Sequence, residues 1–173
     1  MGKGRFANNS ILGGTAKKVL RNSNTSTFIN SYDFKKKNFK KILVPTDIFD
    51  IMSKDISYAR ELAYKYNAKI YLLNVVEVGD HKYPAEVIEK LRGDSYNYLS
   101  EKLLKEKDMN NVEPRVRVAH NAWIGIRDFI EEEKIDLVVM MSYGGKKIRS
   151  EFLGSVAEKV IEHSQCPVIT LSH

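Results

Sequence analysis

From Lys40 onward, short apolar runs alternate with stretches in which apolar residues recur every three or four positions. Ile42-Leu43-Val44 reads as a short buried strand that Pro45 ends. Asp50 or Ser53 can cap a helix whose Ile56, Ala59, Ala63 and Tyr66 fall on one face. Lys69 to Val76, rich in Ile, Leu, Val and Tyr, predicts a second strand. A polar loop, Glu77 to Tyr83, leads to Pro84, which suits the first turn of a long helix reaching about Glu106. Val116 to Val118 is a third, weaker strand, and a helix from about Ala122 to Lys134 presents Ile126, Phe129 and Ile130 together. Asp136 to Met141 is apolar on both faces, as a central parallel strand should be. A glycine-containing loop, a helix from Gly154 or Ser155 to His163 and a last strand from Pro167 to Leu171 complete the pattern.

Strands alternating with helices predict right-handed βαβ units. The expected fold is α/β: an open, doubly wound, five-stranded parallel sheet of Rossmann-like form, with helices on both faces. Sheets of this kind bind ligands at the carboxyl ends of their strands, where the strand order reverses.

The net charge of +6 belongs to the front of the chain. Residues 1–41 hold ten Lys/Arg and one acid, Asp33; the remainder holds 18 Lys/Arg against 21 Asp/Glu. Lys35, Lys36, Lys37, Lys40 and Lys41 are interleaved only by Phe34 and Phe39, which reads as a solvated linker rather than a nucleic-acid surface. The longest apolar run, Leu137 to Met141, falls far short of the roughly 20 residues that span a bilayer. No signal-peptide pattern opens the chain, and the single cysteine, Cys166, has no intrachain partner. The chain therefore reads as cytoplasmic, without membrane or nucleic-acid partners. His81, His120, His163 and His173 show no metal-ligand spacing, and Glu131-Glu132-Glu133 reads as a solvated helix face.

The basic front is not random linker. Residues 4–29 match 145–170 at a constant offset of 141. Residues 12–23 lie against 153–164 with six identities: Leu12/Leu153, Gly13/Gly154, Ala16/Ala157, Lys18/Lys159, Val19/Val160 and Ser23/Ser164. An offset near one domain length suggests a tandem duplication. Residues 1–37 would then be the last loop, helix and strand of an upstream copy plus a basic linker, and residues 38–173 a whole domain.

Chemistry concentrates between Met141 and Ser155. A glycine loop followed by a helix N-terminus offers backbone N–H donors and a positive dipole end to phosphate. Ser155 could add a hydroxyl, and Lys146, Lys147 and Arg149 charge. Ser155-x-x-Glu158 also reads as a capping box that merely closes the helix, and the two roles can coexist.

Gly144, nine intervening residues and Gly154-Ser155 resemble the second half of the G-x2-G-x9-G-[ST] motif of the universal stress protein family. Ile42-Leu43-Val44-Pro45-Thr46-Asp47, Leu73-Asn74-Val75-Val76 and Cys166-Pro167-Val168 resemble the family's first, second and last strands. The resemblance implies an adenine nucleotide alpha hydrolase-like sheet and a non-catalytic binding and signalling role in the stress response. It implies an ATP or other adenine-nucleotide pocket across the first and fourth strands, with Mg²⁺ present only alongside the nucleotide. Asp47 and the backbone of Val75 would face adenine or ribose, Gly144, Gly154 and Ser155 would face the phosphates, and Pro45, Thr46, Met141 and Val156 would complete the nucleotide-binding set. Asp47 reads equally as a turn-capping carboxylate. Three positions depart from the pattern. Met141 stands for the motif's first glycine and would crowd the ligand, so Met141→Gly should strengthen binding. Lys147 stands where many members have glycine, and His120 where a glycine is usual. The alternative reading is a dimeric scaffold of the same fold without nucleotide. An adenylating enzyme is remote, because Val44-Pro45-Thr46-Asp47 lacks the Ser-Gly-Gly-x-Asp-Ser loop such enzymes place after the first strand. Self-association is expected through Val168 to Leu171, either as a homodimer or with Thr27-Phe28-Ile29 pairing there instead as a pseudo-dimer.

Overall fold

A computed structural model of the chain describes residues 18, 20, 25–30, 38–47, 54–106, 110–142 and 153–172. The strands are β1 (Thr27–Ile29), β2 (Lys41–Pro45), β3 (Lys69–Glu77), β4 (Val112–Ala119), β5 (Leu137–Met141) and β6 (Val168–Leu171). The helices are α1 (Lys54–Tyr66), α2 (Ala85–Lys105), α3 (Ala122–Glu133) and α4 (Ser155–His163). The sheet order is β1-β6-β5-β2-β3-β4. β2 to β6 form the expected parallel sheet, and the order reverses between β2 and β5. A sixth strand, β1, adds antiparallel to β6.

Alternation along the central strands divides the core into two layers. Ile42, Val44, Ile70, Leu72, Leu137 and Val139 face α1 and α2, meeting Ile56, Ala59, Ala63, Leu99 and Leu103. Leu43, Tyr71, Leu73 and Val138 face α3 and α4, meeting Ile126, Phe129, Ile130, Val160 and Ile161. Both faces of β5 are buried, which is why it reads as an unbroken apolar run.

The third strand of the domain is longer than Val116 to Val118. β4 spans Val112–Ala119 with every residue half-buried. Among the described residues it pairs only with β3, so Pro114 removes no second ladder there. Glu113, Arg115 and Arg117 also hid it from an apolar count, yet each has a role at this edge. Glu113 pairs with Lys69 and Arg115, and Arg117 makes two 2.6 Å hydrogen bonds to Glu132 on α3. The hydrogen bond from Arg117 holds the Glu132 carboxyl below its ordinary value.

Asp50 and Ser53, the expected caps of α1, lie outside the described residues, as does the loop 143–152 with Gly144. Of the front segment's helix, Lys18 and Leu20 are described: Lys18 is exposed and Leu20 is buried against the α3–α4 layer. Their counterparts at an offset of 141, Lys159 and Ile161, are exposed and buried in the same way.

Candidate functional site

The parallel strands bring several predicted residues to one end. β2 finishes at Pro45, and its tip is held by two bonds to β3. The Thr46 amide donates to the Leu73 carbonyl (2.8 Å), and the Asn74 side-chain amide donates to the Thr46 carbonyl (3.2 Å). Thr46 is half-buried and Asp47 is exposed at the tip. β3 runs on to Glu77 although β2 ends opposite Leu73, so Val75 lies beyond the last rung of the β2–β3 ladder.

On the other side of β2, β5 ends at Met141 and the chain passes to Ser142. The Ser142 amide donates to the Leu171 carbonyl, and its own carbonyl accepts from the Gly154 amide, each at 2.8 Å. The second bond docks the start of α4 beside the carboxyl end of β5. Gly154, Ser155 and Val156 therefore share the carboxyl end of the sheet with Pro45, Thr46, Asp47 and Val75, across the point where strand order reverses.

Two expectations change. Gly154, with φ −64° and ψ 147°, is the residue flanking α4, and no side chain caps the helix among the described residues. Ser155 is its first helical residue, one position too late for the expected capping box. The first-turn N–H groups thus face the carboxyl end with the positive end of the helix dipole behind them. The second change concerns Met141, which is 9% exposed and belongs to the core layer of α1 and α2, with Val44, Val139, Ile169 and Leu171. Its side chain is core.

α3 reaches this end through a close approach. A Cβ added to Gly125 would stand 2.7 Å from Val75 Cγ1 and 3.1 Å from Ala119 Cβ. Gly125→Val should cost about 1–3 kcal/mol by overpacking, read by urea unfolding. The residues at the carboxyl end of β3 would shift with it, so spectral changes at Val75 should accompany the loss. His120, considered for the pocket mouth, sits past β4, where its carbonyl accepts from the Gly79 amide (2.9 Å) and its Nδ1 lies 3.7 Å from Asp80 Oδ1.

Chemically, the start of α4 supplies backbone donors and a helix dipole suited to phosphate oxygens at this end of the sheet. Asp47 supplies a carboxylate that can accept from hydroxyl or amine groups. Asn74 is the residue that motif reading passed over. It was visible as a lone amide in an apolar strand, 8% exposed, and it fixes the β2 tip.

The sequence pattern of the Universal stress protein family matches residues 38–172. The chain belongs to the universal stress protein family. Universal stress protein MJ0531 of Methanocaldococcus jannaschii is 31% identical over 147 residues, covering 77% of this chain and 82% of that protein. Among solved structures, a universal stress protein in complex with cAMP superposes with a TM-score of 0.52 at 22% identity, covering 78% of this chain and 98% of that one. A functionally unknown protein, PA1789 of Pseudomonas aeruginosa, superposes with a TM-score of 0.68 at 14% identity, covering 94% of this chain but 57% of that one. The universal stress protein fold thus accounts for residues 38–172, and PA1789, which takes in nearly all of this chain, is the longer chain of the two. Among the described residues, no helix is long and apolar enough to cross a membrane, and no cluster of His, Cys, Asp and Glu suits a metal ion.

Proposed function

We propose that this universal stress protein domain is a non-catalytic binding and signalling module that takes an adenine nucleotide at the carboxyl end of β2 and β5. The observation carrying this reading is the 2.8 Å bond from Gly154 to Ser142, which sets the N-terminus of α4 at the carboxyl end of β5, the strand beside β2. Phosphates would lie on the amides of Gly154, Ser155 and Val156, and Asp47 would accept from ribose or adenine. Magnesium would arrive with the phosphates and stay largely water-bound. The cAMP complex of a protein with this fold supports the choice of ligand class. The buried lone thiol of Cys166 suits a reducing cytoplasm.

Calorimetric titration tests the reading: ATP·Mg²⁺ should give saturable heat in the micromolar to millimolar range, and Ser155→Asp should abolish it by setting a carboxylate against the phosphates. No heat at millimolar nucleotide would instead favour the scaffold reading. In either reading, we take β6 as the edge through which this domain would pair with another copy.

A further inference from the structure

Two edges bound the parallel sheet, and they are treated differently. The β4 edge carries Pro114, Glu113, Arg115 and Arg117, which discourage another strand from adding. The β6 edge, Val168-Ile169-Thr170-Leu171, has no such protection in its sequence; it is buried along its whole length, and β1 runs along it.

The register of that pairing is informative. Thr27 opposes Thr170, Phe28 opposes Ile169, and Ile29 opposes Val168. At the repeat offset of 141, Phe28 is the counterpart of Ile169, Thr27 of Val168 and Ile29 of Thr170. Consider two β6 strands meeting antiparallel about a twofold axis through Ile169. Ile169 would face itself, and Val168 would face Thr170. Substituting the counterparts into one strand gives Phe28 opposite Ile169, Thr27 opposite Thr170 and Ile29 opposite Val168, which is the pairing observed. A slip of one residue in either direction would break this relation and turn Ile29 away from the α3–α4 layer it packs against. Leu20, buried where its counterpart Ile161 is buried, extends the same relation from strand to helix.

We infer that β1 is an intramolecular stand-in for the last strand of a second domain of this family, holding closed the edge through which β6 would pair with another copy of the chain. The inference rests on the reading of β6 as the assembly edge. The tether permits it. β1 and β2 are three strand spacings apart, about 14 Å, and the eleven residues between Ile29 and Lys41 can extend to about 36 Å. A strand so tethered competes at an effective concentration of order millimolar. A second copy at micromolar concentration cannot displace it. The chain is then a monomer whose β6 edge opens only when β1 leaves.

The test compares the full chain with residues 38–173 by light scattering at tens of micromolar. The shorter chain contains the whole family match and both core layers apart from Leu20 and Ile29. The full chain should have the mass of a monomer and the shorter one twice its own monomer mass. Cysteines report the register in a Cys166→Ala background. Ile169→Cys in the shorter chain should give an interchain disulfide, because the residue faces its own copy. Phe28→Cys with Ile169→Cys in the full chain should give an intrachain one. A dimeric full chain would overturn closure by β1 while leaving β6 self-pairing intact. A monomeric shorter chain would overturn the self-pairing and the inference with it.

Discussion

Replacing Met141 by glycine should lower stability by about 3–5 kcal/mol and leave nucleotide affinity no better. The side chain is buried among Val44, Val139, Ile169 and Leu171, on the α1–α2 side of the sheet. Removing a buried methionine costs about 2–5 kcal/mol in lost burial and residual cavity. Glycine in a strand adds roughly 0.5–1 kcal/mol of backbone entropy. Total stabilities are commonly about 5–15 kcal/mol, so the variant should unfold at much lower urea and part of it should be unfolded at 37 °C. Motif comparison alone points the other way, toward relief of crowding and tighter binding. Urea unfolding together with nucleotide titration separates the two: a glycine variant that keeps its stability and binds ATP more tightly would contradict the packing described here.

The second large effect is expected at Asp136, just before β5. This carboxylate is 4% exposed and accepts from the amides of Lys40 (2.8 Å) and Lys41 (3.0 Å), where β2 begins. Its own amide donates to the Lys41 carbonyl (2.9 Å). Asp136 therefore fastens together the two strands whose other ends carry the candidate site. Asp136→Ala would leave two amide donors facing a buried gap, and a charged acceptor of this kind is worth about 3 kcal/mol. Asp136→Asn keeps an acceptor oxygen and should lose about half as much. Chemical denaturation of the two variants checks the order. Negligible losses in both variants would mean that the carboxylate's bonds to β2 contribute little.

Much of this was legible because apolar spacing is a direct record of burial. Ile42 to Val44, Lys69 to Val76 and Leu137 to Met141 announce central strands, since both faces of each meet helices. The edge was harder to read. β4 carries Glu113, Pro114, Arg115 and Arg117, residues that an edge permits and a pattern search counts against a strand. The helix start at Ser155 is legible, but its capping-box role is not, because a Ser-x-x-Glu spacing fits a capping box wherever the helix begins; only the backbone of Gly154 shows that Gly154 flanks the helix. Met141 was judged by its place in a motif, whereas the direction of its side chain follows from strand parity. Leu137, Val139 and Met141 alternate onto one face, and counting from Val139 would have placed it in the core. The pairing of β1 with β6 was accessible only through the repeat, because three residues are too few to define a strand by pattern.

The proposed site is tested most directly by an amide NMR titration with ATP·Mg²⁺. The account predicts saturable shifts at Gly154, Ser155 and Val156 that move in step with those of Thr46, Asp47 and Val75. Shifts confined to one of these two groups, or a spectrum unchanged at millimolar nucleotide, would contradict it.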